Sequence, residues 1–207
     1  MIKLNPTHLI YLCFLFFPIT GYSSMYENLT IDEVVSDSEL VFEGKVVNLE
    51  YKTPSDRNRV YTYVTFEIND VIKGDYIDKT IEIRYPGGKE GDQVASVSDM
   101  VIPQVGEEGI YFIKSLTKHY IHPLTGWAQG QMNIVTDKAG KKRVFSVSGE
   151  SISHVNHLEP KKKDIEQNLT ADVASGVQTS KQKDQAMLLD EVKSQLKKIV
   201  DYGIKDK

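Results

Sequence analysis

The sequence predicts a mainly β protein: a small antiparallel sheet curled into a closed or partly closed barrel, with a short N-terminal helix and a C-terminal amphipathic helix. Three observations carry this. In Val60-Tyr-Thr-Tyr-Val-Thr-Phe-Glu-Ile68, β-branched and aromatic residues alternate strictly, with Val60, Thr62, Val64, Phe66 and Ile68 on one parity. Successive strand side chains point to opposite faces, so this set is expected to line the core and Tyr61, Tyr63 and Thr65 to face outward. A similar segment, Glu39–Tyr51, precedes it, and turn signals recur about every ten residues down to Val147. That spacing belongs to antiparallel sandwiches and barrels.

Taken in order, Thr30-Ile-Asp-Glu33 has the form of a capping box, with Val34 and Val35 as the apolar side of a short helix that ends at Ser36-Asp-Ser38. In the strand Glu39–Tyr51, Leu40, Phe42, Gly44 and Val46 share a parity that passes to Val47, Leu49 and Tyr51. The central strand slips in the same way at Asn69-Asp70. Such slips mark bulges, which bend a long strand. Thr53–Asn58 is the turn between these two strands, making them antiparallel neighbours. Shorter strands are expected at Thr80–Tyr85, Gln93–Val97, Ile110–Lys114, His119–His122, Ala128–Val135 and Arg143–Val147. Gly and Pro clusters such as Pro86-Gly-Gly88 separate them.

Beyond the β region, residues 24–150, the sequence turns polar. Residues 151–183 read as a solvated linker. In residues 184–207, Leu188, Leu189, Val192, Leu196, Ile199 and Val200 recur at helical spacing, opposite Asp190, Glu191, Lys193, Lys197 and Lys198. This stripe must be covered by the chain's own sheet, a partner or a membrane surface.

At the N-terminus, Lys3, the apolar run Leu9–Phe17, Pro18 and the small residues Gly21 and Ser23 form a signal peptide over residues 1–23. The run is shorter than the roughly 20 residues that span a bilayer, so no integral span is expected after cleavage. Cys13, the only cysteine, lies inside it without the small preceding residues of a lipidation site. A cysteine-free exported chain points to a bacterial periplasmic or extracellular setting. Cleavage removes Lys3 and no acidic residue, taking the formal charge from −4 to −5. With both signs mixed along the chain, nothing suggests nucleic acid as a partner.

Catalytic and metal-binding patterns are weak. His154-x-x-His157 has ligand spacing but no third ligand nearby, and His119 and His122, placed in a strand, would face opposite sides as surface histidines. No serine lies in Gly-x-Ser-x-Gly. Glu107 and Glu108 are adjacent in a turn, so they do not converge as an acid–base pair. Pro86-Gly-Gly88-Lys89 lacks the spacing of a phosphate-binding loop. No catalytic residue, metal ligand or cofactor is therefore assigned. The candidate binding surface comprises Tyr61, Tyr63, Tyr85, Gly87, Gly88, Trp127 and Gln129, an aromatic set suited to protein or peptide recognition. Asn28-Leu-Thr30 and Asn168-Leu-Thr170 match the glycosylation acceptor pattern, which means little in a bacterial protein.

Leu40-Val-Phe-Glu-Gly-Lys-Val46, Tyr61–Ile68 with Val71-Ile-Lys-Gly74, Tyr85–Gly88, Gly106-Glu-Glu-Gly109 and Gly126-Trp-Ala-Gln-Gly130 together resemble a group of exported bacterial proteins whose fold is similar to the netrin-like module of tissue inhibitors of metalloproteinases. The resemblance covers roughly residues 28–136 and implies an OB-type β-barrel. Those inhibitors chelate zinc through an N-terminal cysteine, which the cleaved chain lacks, so no inhibitory residue carries over. The function expected is an exported, non-enzymatic binding or accessory module. The alternatives are a hydrolase of unrecognised type, or docking to a partner or membrane through the C-terminal helix. Intact-mass spectrometry of the exported protein is expected to find Ser24 at the N-terminus; a chain that still begins at Met1 would contradict export by cleavage.

Overall fold

The computed structural model describes residues 28–55, 59–98, 100–158 and 172–205. The expected signal segment with Cys13, the lysines at 161–163 and the Asn168 acceptor expected from the sequence lie outside them. Among the described residues no helix is long and apolar enough to cross a membrane.

Helix α1 (Ile31–Ser36) starts where the capping box predicts: Thr30 Oγ1 accepts the Glu33 N–H at 3.1 Å and the Glu33 carboxylate accepts the Thr30 N–H at 2.8 Å. Its C-terminal carbonyls are satisfied from across the sheet, Lys73 Nζ donating to the carbonyls of Val35, Ser36 and Ser38 at 2.6–2.8 Å.

Ten strands follow: β1 (Leu40–Lys52), β2 (Tyr61–Lys73), β3 (Thr80–Pro86), β4 (Gly88–Glu90), β5 (Gln93–Ala95), β6 (Glu108–Ile113), β7 (Gln131–Thr136), β8 (Lys142–Phe145), β9 (Ser151–Val155) and β10 (Val177–Ser180). Helix α2 (Leu189–Lys205) ends the described chain. Eight strands form one antiparallel sheet in the order β10-β9-β8-β7-β6-β1-β2-β3, and β4 and β5 make a separate hairpin. The β1–β2 register jumps three times, leaving Val47 of β1 and Asn69 and Ile72 of β2 unpaired. The first two of these bulges fall at the parity slips in the sequence.

The barrel expected from those slips does not close. β3 and β10 remain the two ends of the sheet. His119–His122, expected as a further strand, is an irregular loop. Leu124 bridges Ile113, and the Pro123 carbonyl takes the Lys114 N–H, so this segment returns alongside β6 and adds no rung beside β3.

The single core expected from parity is two, one on each face of the sheet. Leu40, Phe42, Val64, Phe66, Ile81, Ile83, Tyr85, Tyr111 and Ile113 belong to the inner, curled face, where Phe66 and Tyr111 stand 4.5 Å apart. Val41, Ile110, Phe112, Met132, Val144 and Ile152 face the other side, beneath both helices. β1 and β6 are therefore buried on both faces, which is why Leu40-Val-Phe42 and Ile110–Ile113 are unbroken apolar runs.

The stretch expected as a polar linker contains β9 and β10. Ile152, Val155 and Val177 are buried there, but serine and histidine between them dilute the strand signal. The apolar stripe of α2, with Leu189, Val192, Leu196 and Ile199, is covered by the protein's own sheet.

Two carboxylates lie under that helix. Glu43 and Asp70 are directly opposed on β1 and β2, and like charges in such a pair repel. Lys193 of α2 bridges them at 2.7 and 2.8 Å, Lys197 adds a 3.3 Å contact to Asp70, and Lys142 joins Glu43 to Glu108. Burial alone would raise the Asp70 pKa, but hydrogen bonds from Lys193 and Lys197 hold it below the ordinary value. A carboxyl with a depressed folded pKa contributes stability above its unfolded pKa and loses it as pH falls. Lys193→Met should therefore destabilise the fold by roughly 1–3 kcal/mol at pH 7. The loss should shrink as pH falls below about 4, through the lowered pKa of Asp70. Urea unfolding at both pH values measures it, and a penalty independent of pH would count against the bridge.

Candidate functional site

The groove at the free edge of β3 is built by strand parity. The Ile68 N–H donates to the Lys79 carbonyl at 2.8 Å and the Gly87 N–H to the Val60 carbonyl at 3.0 Å. The β2–β3 register between them has no shift. Residues in an antiparallel strand alternately turn their main-chain groups toward and away from the neighbour. Ile81, Ile83 and Tyr85 thus bond to β2, while Thr80, Glu82 and Arg84 direct N–H and C=O off the sheet. The Thr80 carbonyl is taken by the Tyr76 hydroxyl at 3.0 Å, and Pro86 has no N–H to offer. Among the described residues, Glu82 and Arg84 are left as the open rungs.

Facing them is the loop 115–123. Glu39 holds its first turn, its carboxylate accepting the Leu116 N–H at 2.9 Å and the Ser115 hydroxyl at 2.8 Å. These two bonds, the backbone one foremost, keep the Glu39 pKa below its ordinary value. Ser115 Oγ in turn accepts the N–H groups of Thr117 and Lys118. Loop and edge enclose a groove of about 280 Å³, lined by Tyr63, Ile83, Arg84, Leu116, Lys118 and Tyr120 among others. This is at or below the lower limit of the roughly 300–1,000 Å³ of pockets for drug-sized ligands, and it suits a segment laid along it better than a buried small molecule.

Arg84, one of the two cations lining the groove, lies over a ring, and the groove's Tyr120 ring carries a lysine from outside it. The Arg84 guanidinium lies 4.6 Å from the centre of the Tyr61 ring, and Lys114 Nζ lies 4.7 Å from that of Tyr120. Among the described residues neither Arg84 nor Lys118 has a carboxylate within 4.0 Å. Lys52, over the Tyr63 ring, is paired with Glu50.

The seven candidate surface residues do not form one surface. Tyr61 and Tyr63 share the outer face of β2, Tyr61 largely covered and Tyr63 half-buried. Tyr85 is fully buried in the inner core, and burial raises the pKa of its phenol. Gly87 and Gly88 form the turn into β4, where the Gly87 carbonyl accepts the Thr62 hydroxyl at 2.7 Å. Gly88 has φ +134°, and a Cβ there would come within 2.7 Å of both Thr62 and the Tyr51 ring. It belongs to a second groove of about 310 Å³ with Tyr51 and Val94. Gln129 is buried, its side-chain carbonyl accepting the Leu29 N–H at 3.1 Å. Trp127 is half-buried at φ 59°, an uncommon backbone conformation for a bulky residue, which the surrounding turn must hold.

Trp127 and Tyr85 meet through His122, whose ring lies 4.9 Å from the indole and 6.2 Å, edge-on, from the phenol. His122, expected at the surface, is only 5% exposed. The Leu124 N–H donates to Nδ1 at 3.1 Å, which places the proton of the neutral ring on Nε2. Burial lowers its pKa to about 4. His154 is exposed; His157 binds Asp32 and stacks on Tyr202 at 4.8 Å. Among the described residues no cluster of three metal-ligating side chains occurs.

Sequence reading missed Arg84 and Lys118. Alternation put Arg84 on the outer parity, but only knowledge that β3 is an edge strand gives it a role. No family model, curated protein or solved structure matches the chain.

His122 stays neutral when folded and protonates nearer pH 6.5 when unfolded, so its contribution is complete above that pH and is lost as pH falls toward 4. Stability should decline across this window by up to about 1.4 kcal/mol per pH unit. His122→Asn, whose Oδ1 can still accept the Leu124 N–H, should flatten that slope in denaturant unfolding from pH 7 to 4.5; an unchanged slope would assign it to other groups.

Proposed function

We propose that this chain is an exported, non-enzymatic binding module that engages a protein or peptide along the free edge of β3. One observation carries the reading: a seven-residue edge strand whose Glu82 and Arg84 main-chain rungs have no partner among the described residues, beside a groove where neither Arg84 nor Lys118 has a carboxylate within 4.0 Å among those residues. The opposite edge, β10, has four residues, and very short edges are a common way to protect a sheet. The α2 stripe, the other candidate contact surface, is consumed by the sheet. Export rests on the n-region and apolar run of residues 1–23. An inhibitor mechanism through an N-terminal cysteine forms no part of the reading, since Cys13 lies within the segment removed.

A photo-crosslinking residue at Tyr63 or Tyr120, in cells that export the protein, should yield discrete adducts, whereas one at Val94 in the second groove should not. Adducts from Val94 alone would move the site, and none from any position would sink the binding reading.

A further inference from the structure

We infer that the β3 groove takes a short, extended peptide segment of a partner protein, one with alternating apolar and acidic residues, which adds to the sheet as a ninth strand. This inference rests on the binding-module reading above and names its ligand. Glu82 and Arg84 offer one N–H and one C=O each to an incoming strand, the main-chain currency of strand addition. The edge is bounded at both ends: Tyr76 occupies the Thr80 carbonyl and Pro86 interrupts the ladder. A short segment fits between these limits, while continued self-pairing into fibres is discouraged.

The side chains of an added strand would alternate between two environments. Those on the inner side would meet Ile81, Ile83, Ile113 and Leu116. Those on the outer side would meet Tyr63 and Arg84, with Lys118 across the groove. Since Arg84 and Lys118 have no carboxylate of their own within 4.0 Å among the described residues, an anionic outer residue supplies the missing partner. Glu82, the carboxylate lining this groove, would repel an acid placed directly beside it. A basic or uncharged outer residue would leave the cations unpaired or repelled.

The test uses the signal-cleaved protein, 15N-labelled, titrated with three acetylated and amidated seven-residue peptides. One alternates valine and glutamate, the second alternates valine and lysine, and the third is the acidic peptide N-methylated at alternate residues. The acidic peptide should shift the amides of Glu82, Arg84 and residues 115–120. The lysine and N-methylated peptides should bind at least about tenfold more weakly. Arg84→Glu should weaken the acidic peptide by a similar factor; should that variant fail to fold, Lys118→Glu on the exposed loop serves instead. Val94→Glu should change nothing. Equal binding of the lysine peptide would overturn the acidic specificity, equal binding of the N-methylated peptide would overturn strand addition, and shifts centred on Tyr51 and Val94 would overturn the location. If no peptide binds while crosslinks still form from Tyr63, strand addition falls and the binding module stands; if neither occurs, both fall.

Discussion

The bridge that Lys193 makes between Glu43 and Asp70 is the interaction on which the helical layer depends. Two carboxylates face each other across adjacent strands under a helix, an arrangement that repels until a cation enters. The extra residue at Asn69 puts the pair in register: it shifts β2 so that Asp70 and not its neighbour stands opposite Glu43. The same bulge that bends the sheet therefore creates the socket for α2. Around the lysine, Val192, Leu196 and Ile199 supply the apolar burial, and the ion pairs determine where along the sheet it is made. A buried ionic cluster adds little net stability against an apolar replacement, but losing one member leaves uncompensated charge.

Curvature links this socket to the groove on the other side of the hairpin. Without the unpaired Val47, Asn69 and Ile72, strands of this length would lie flatter and Phe42, Phe66 and Tyr111 would not close on one another. With them, β3 is carried round toward the loop after β6 but meets a loop and not a strand. The unclosed seam is the proposed binding edge. Tyr85 and Trp127 pack on His122 of the loop, a structural role for three aromatic rings, all of which were expected at the surface from the sequence.

The capping box at Thr30, the strands β1, β2, β3 and β6, two of the three bulges and the helical stripe of α2 were legible in the sequence, because each is a local pattern whose period or spacing reports its own geometry. β9 and β10 were not, since Ile152 and Val177 depend on neighbours brought from elsewhere in the chain. The candidate surface was legible only in part. Tyr63 lies in the groove beside its pair partner Arg84, but Tyr85 shares the parity of Ile81 and Ile83 and points into the core with them, and an aromatic residue type does not by itself say which face water reaches.

What the sequence by itself determined was which residues alternate, where strands bend and which helix face is apolar; these follow from backbone geometry over a few residues. Tertiary structure alone decided that β1 and β6 are covered on both sides, that Glu43 and Asp70 meet beneath Lys193, and that the ladder ends at β3 with Glu82 and Arg84 facing outward. Those outcomes depend on which strands become neighbours, and long-range pairing is chosen by the packing of the whole sheet, not by any one segment.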